Sequence, residues 1–149
     1  MKYTTQIKIN VPLEHAIKLF EEAKNFPKWQ RGLISTKAVD QPEGEVGSKR
    51  TLKLKIYGQK IKMTETITKK NLPHVWHAIY RSNGITTMQE NYFESIDENT
   101  MQWNSVSRFK FTGLLSIVGR LQPELFKQRS LQIMKDFKAF AEDGQTVNS

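Results

Sequence analysis

Residues 3–10 alternate, with Tyr3, Thr5, Ile7 and Ile9 on one side and Thr4, Gln6, Lys8 and Asn10 on the other. That is the period of a strand. The pattern then changes. Val11-Pro12 with Glu14 just beyond reads as a helix start, because a first-turn proline forgoes only an N–H without a helical partner. Ala16, Ile17, Leu19 and Phe20 give that helix an apolar face. A short helical turn is predicted near Phe26-Pro27-Lys28-Trp29, ended by Gly32.

From Leu33 to about Phe111 the period returns to two. It predicts strands over 34–40, 49–57, 60–69, 75–81, 85–96 and 101–111. Their separators are turn-forming: Gln41-Pro42-Glu43-Gly44, Gly58-Gln59, Asn71-Leu72-Pro73, Ser82-Asn83-Gly84 and Asp97-Glu98-Asn99. Short connections imply an antiparallel meander. Pro123 and Glu124 then open a helix over about 122–142, whose face collects Phe126, Ile133, Met134, Phe137, Phe140 and Ala141. Gly144 to Ser149 reads as a flexible polar tail behind a single domain over 1–143.

A long amphipathic helix must bury its stripe, and the only large apolar surface on offer is one face of the sheet. A twisted sheet of about seven strands is concave on one side. A helix laid across that hollow leaves space near its ends, so the expectation is an α+β fold with a cavity between sheet and C-terminal helix.

The order of one strand, two short helices, six strands and one long helix resembles the helix-grip (START-like, SRPBCC) superfamily, in particular its polyketide cyclase/dehydrase and lipid-transport branch. So do Phe26-Pro27-Lys28-Trp29, the turn Glu43-Gly44-Glu45-Val46-Gly47 and the lead Phe111-Thr112-Gly113-Leu114-Leu115. The resemblance covers about residues 2–142 and implies a curved antiparallel sheet wrapped around the C-terminal helix. It also implies a cavity for a lipid, sterol, polyketide or similar molecule. Its motifs mark fold elements rather than chemistry, so no catalytic residues come with it.

A two-residue loop at Gly58-Gln59 would place Ile56 opposite Ile61, Leu54 opposite Met63 and Leu52 opposite Glu65 on the inward face. Lys55 would then face Lys62 outside. Glu65 thus becomes a carboxylate among apolar neighbours, which is costly unless it is paired or protonated. Two readings stay open: a rim position or a partner such as Arg81 or His77, against a polar anchor or acid/base inside the cavity. In the strand over 75–81, Trp76, Ala78 and Tyr80 share one face and Val75, His77, Ile79 and Arg81 the other; periodicity does not say which is inward. The candidate ligand-binding residues are Trp29, Leu52, Leu54, Ile56, Met63, Glu65, His77, Asn91, Phe93, Trp103, Ser105, Ile133 and Phe137, with Glu65 the one catalytic candidate. The polar groups among them, joined by Ser107, favour a lined cavity over a dry core.

Composition narrows the chemistry. The 149 residues contain no cysteine, which excludes disulfide scaffolds, thiol nucleophiles and cysteine zinc sites. His74 and His77, three apart on an extended segment, point to opposite faces, and His15 stands alone. Neither a metal nor a cofactor is expected. No phosphate-loop, dinucleotide-binding or nucleophile-elbow motif is present. The formal net charge is +8. Lys53, Lys55, Lys60 and Lys62 concentrate on the outer face of one hairpin, either as a solvated surface or as a footprint for an anionic membrane. Nucleic acid is disfavoured, because Tyr57 is the only aromatic there for bases to stack on. The expected partner is a hydrophobic small molecule, in a monomer or homodimer. No apolar run reaches a membrane span and Met1 to Thr5 lack a signal-like apolar stretch, so a cytoplasmic location is the default expectation.

Overall fold

The computed structural model describes residues 1–39, 42–113 and 123–148. Parts of the turn at Gln41, the lead through Leu114-Leu115 and Gln122 lie outside them. The elements follow the predicted order: β1 (Lys2–Ile9), α1 (Leu13–Glu21), α2 (Phe26–Trp29), β2 (Leu33–Ala38), β3 (Lys49–Ile56), β4 (Gln59–Asn71), β5 (Val75–Ser82), β6 (Ile85–Asp97), β7 (Thr100–Phe111) and α3 (Pro123–Asp143). The strands form one sheet in the order β1-β7-β6-β5-β4-β3-β2, antiparallel throughout.

The β3–β4 hairpin corrects the expected register. Its turn is Tyr57-Gly58, with φ of 49° and 81°. Two consecutive positive φ values make the kind of two-residue turn whose twist matches the flanking strands. The pairs are therefore Leu54 with Ile61, Leu52 with Met63, Arg50 with Glu65, Lys53 with Lys62 and Lys55 with Lys60. Each partner moves by two residues, and side chains repeat every two, so the inward set is unchanged. What changes is the neighbour of Glu65: an arginine, not Leu52. Gly32, at φ 89°, is required on the adjoining edge, because a Cβ there would lie 2.4 Å from the Lys55 carbonyl oxygen.

α3 lies over the concave face and is fastened at its C-terminal end. Lys138 Nζ donates to the Lys8 carbonyl (2.9 Å) and Glu142 accepts from the Asn10 N–H (2.7 Å). Midway, Asp136 takes a two-pronged hydrogen bond from Arg31, both contacts 2.9 Å. One core packs beneath this half of the helix: Ile9, Ala16, Ile17, Phe20, Trp29, Phe93, Met101, Trp103, Met134 and Phe137. A smaller cluster, Leu33, Leu52 and Leu54, sits at the opposite edge of the sheet.

Residues 144–148 are tied back, not loose. The Val147 N–H donates to the Lys28 carbonyl (2.9 Å). Asn148 donates to the Pro27 and Gln30 carbonyls (2.9 and 2.8 Å) and accepts from the Gly32 N–H (2.9 Å). The physical reason is that the carbonyls ending a short helix have no partners of their own, and this segment supplies them.

Candidate functional site

Between the two clusters the concave face is not filled. The cavity holds about 830 Å³, within the ~300–1,000 Å³ typical of small-molecule sites. Its sheet wall is built by alternation. β3 contributes Leu52, Leu54 and Ile56, β4 contributes Ile61, Met63, Glu65 and Ile67, and β5 contributes Trp76 and Tyr80. Phe126, Arg129, Ser130 and Ile133 of α3 form the roof, while Phe20 and Trp29 close one end. The helical spacing of 126, 129, 130 and 133 puts these four on one face. Tyr3 of β1 joins floor to roof: its hydroxyl meets Ser130 Oγ at 2.6 Å and donates to the Phe126 carbonyl at 3.0 Å.

Of the thirteen residues singled out from sequence, the lining includes Trp29, Leu52, Leu54, Ile56, Met63, Glu65, Asn91, Trp103 and Ile133. Phe93 and Phe137 lie deeper, in the packed core. Ser105 is buried and accepts from Gln89 Nε2 at 3.3 Å, behind the wall. His77 is on the wrong side. β5 turns Trp76, Ala78 and Tyr80 inward, so His77 stands on the convex face against the Tyr92 ring (5.1 Å between centroids). Burial, and then Lys69, hold its pKa below the ordinary histidine value. The undecided face of this strand is thereby settled, and no cavity role remains for His77.

Glu65 is 7% exposed. Cross-strand neighbours flank it, Arg50 on β3 and Tyr80 on β5. Burial pushes its carboxyl pKa up, while a hydrogen bond from Tyr80 and the charge of Arg50 pull it back. The Tyr80 hydroxyl is pushed well above the ordinary phenol value by burial and by Glu65. Arg81 and His77, the partners weighed from sequence, face the other way. Arg50 is itself held in place: it pairs with Glu43, donates to Thr36 Oγ1 (3.1 Å) and lies over the Phe26 ring at 5.3 Å. Further along the wall, Asn91 accepts from Trp103 Nε1 at 2.9 Å. Asn91 Nδ2 and Trp29 Nε1 are buried without a hydrogen-bond partner among the described residues.

Sequence reasoning missed Arg50, Ile61, Phe126, Arg129 and Tyr3 as lining residues. Arg50 and Ile61 share the parity of Leu52, Leu54 and Met63, so alternation alone would have found them, and the helical face through Phe126 and Ile133 would have found Arg129. Among the described residues no group of three His, Asp or Glu side chains is placed to hold a metal ion. No helix among them is long and apolar enough to cross a membrane.

Comparison with solved structures places this architecture. The Zhui aromatase/cyclase of Streptomyces sp. R1128 matches with a TM-score of 0.82 over 95% of this chain and 93% of that one, at 8% identity. A START superfamily protein from Mycobacterium smegmatis matches at 0.77, over 97% and 99% of the two chains, at 9% identity. Norcoclaurine synthase from Thalictrum flavum matches at 0.74, over 96% and 94%, at 9% identity. No protein-family model and no curated protein matches the sequence. The chain has the helix-grip fold of START-like proteins.

Proposed function

We propose that this protein binds a hydrophobic or amphipathic small molecule in the cavity between sheet and C-terminal helix. The observation that carries the reading is the hollow itself: about 830 Å³ walled mainly by aliphatic and aromatic side chains, with a few polar groups converging on it. Apolar burial, at ~25 cal/mol per Å², would supply most of the affinity, and the polar groups would set orientation. The similar solved structures include an aromatase/cyclase and a norcoclaurine synthase, which agrees with a cavity of this kind being put to use. Titration with a neutral fluorophore such as N-phenyl-1-naphthylamine tests it. Saturable binding that Leu54→Trp weakens at least roughly tenfold, by filling the space, is the expected result. A wild-type protein that binds neither this probe nor any co-purified organic molecule sinks the reading.

A second reading has its own observation, the buried row Arg50–Glu65–Tyr80. A buried carboxyl whose pKa is raised by burial, beside a phenol, can pass a proton to or from a bound carbonyl compound. Glu65→Gln and Tyr80→Phe would then each abolish turnover while leaving binding intact. Unchanged turnover in Glu65→Gln for every substrate the wild type converts removes this reading alone.

A further inference from the structure

The lining contains three half-buried cations, and two of them have carboxylate partners. Arg50 pairs with Glu43, and Lys70 lies 3.8 Å from Glu21. Arg129 has no ion pair among the described residues. Among the described residues the phenols of Tyr57 and Tyr3 bear on its charge. Burial holds its pKa below the ordinary guanidinium value, the mark of a charge taken out of water without compensation.

Its location adds to this. Arg129 sits on the α3 face that roofs the cavity, one turn before Ile133. It also lines a smaller opening of about 280 Å³ between α3 and the tip of the β3–β4 hairpin, beside Arg31, Lys55 and Tyr57. This is the cationic end of the hollow. A ligand that completes this end of the cavity therefore brings a negative charge to it.

We propose that the cavity takes an aliphatic chain ending in a carboxylate, with the carboxylate paired to Arg129 beneath the β3–β4 hairpin tip and the chain along Leu54, Ile61 and Met63. This rests on the binding function proposed above and names its ligand class. A guanidinium suits the task because its planar fork meets both oxygens of a carboxylate. The neighbouring Lys55 adds a weak, screened positive field at that opening.

The test displaces N-phenyl-1-naphthylamine with dodecanoate, dodecanol and dodecylamine at pH 8. In the wild type, dodecanoate is expected to bind at least roughly tenfold more tightly than dodecanol, and dodecylamine more weakly than either. Arg129→Gln should erase the advantage of dodecanoate and leave dodecanol unchanged. Arg129→Lys, which keeps the charge but loses the fork, should retain part of it. Lys55→Gln should keep the preference to within about twofold, since an exposed charge is screened. Equal binding of dodecanoate and dodecanol by the wild type, or a preference that survives Arg129→Gln, overturns the assignment while the cavity's binding function stands. Binding of neither amphiphile nor reporter overturns both. If Arg129→Gln fails to fold, the Arg129→Lys comparison decides: an undiminished preference refutes the paired fork.

Discussion

At the β1–β7 end of the sheet, Phe20 meets Trp29, Trp76, Phe93, Trp103 and Phe137 at centroid separations of 5.1–5.7 Å. At the β2–β4 end, Leu54, Ile61 and Met63 face open space across the same concave surface. Both ends have the same backbone, the same alternation and the same helix overhead. They differ in side-chain volume and in where α3 is fastened. Aromatic residues gather where the helix is pinned to β1 through Lys138 and Glu142, and they pack against one another there. Shorter aliphatic chains line the other end, where they border the cavity. A helix-grip hollow is thus the part of a continuous groove that large side chains do not reach, and stability and binding can be assigned to different halves of one fold.

Truncation should expose this division most sharply. Phe20→Ala removes the ring around which the packed end is organised, and it should cost about 3–5 kcal/mol, as buried Phe→Ala changes do. Ile61→Ala, on the hollow wall, deletes atoms that already border empty space. It should cost about 1–2 kcal/mol, since little new cavity is created. Urea unfolding of the two variants checks the pair. Equal losses would mean that the two ends are packed alike.

A smaller effect, with a definite sign, comes from Glu65. Its folded-state pKa lies above the unfolded value, so the folded protein holds the proton more tightly. Between those two pKa values the native state binds more protons than the unfolded state, and stability falls as pH rises through the window. Below the unfolded value the contribution of this group is fully present. Glu65→Gln, which cannot ionise, should lose this fall: the wild-type-minus-variant stability difference should decline as pH rises from about 4. A difference that stays flat with pH would show that Glu65 is as solvated as an ordinary carboxylate.

The smallest structural fastening tested is the tail. Asn148→Ala removes three side-chain hydrogen bonds to the α2 region. Each contributes about 0.5–1.5 kcal/mol when buried, and less at this exposed position. The summed loss should be near 1 kcal/mol, visible as a fall in Tm of several degrees. No change in Tm would return residues 144–148 to the loose tail that their polarity suggests.

The contrast between the ends also explains what could be read from the chain. Period two and the turn residues gave every strand, because a half-buried strand has to alternate whatever its partners are. Glu65 was visible for the same reason: parity alone places it inward. Its neighbours were not, since they depend on whether the hairpin turns at Tyr57-Gly58 or Gly58-Gln59, and only the backbone angle at Tyr57 decides. His77 was misplaced because both faces of β5 carry large side chains, so alternation there holds no polarity. Phe93, Phe137 and Trp103 all read as inward aromatics. That two of them pack solidly while Trp103 also borders the cavity follows from the position of α3, which no local pattern specifies. The tail was misjudged because its anchors are backbone carbonyls of α2, and those are present in any sequence.

The gentlest test concerns the outer surface of the hollow end. There Lys55 stands opposite Lys60 and Lys53 opposite Lys62. Like charges directly across a ladder are unfavourable, and opposite charges contribute roughly 0.2–1 kcal/mol. Lys60→Glu should therefore stabilise the protein by a few tenths of a kcal/mol in low salt, and the gain should shrink as salt screens it. Salt-dependent urea unfolding reads this directly. A destabilised variant would mean that the four lysines are held apart in some arrangement the register does not predict. If the gain appears, these lysines are tolerated at a cost to the fold, and their positive field beside Arg129 becomes a property of the hollow end that stability does not explain.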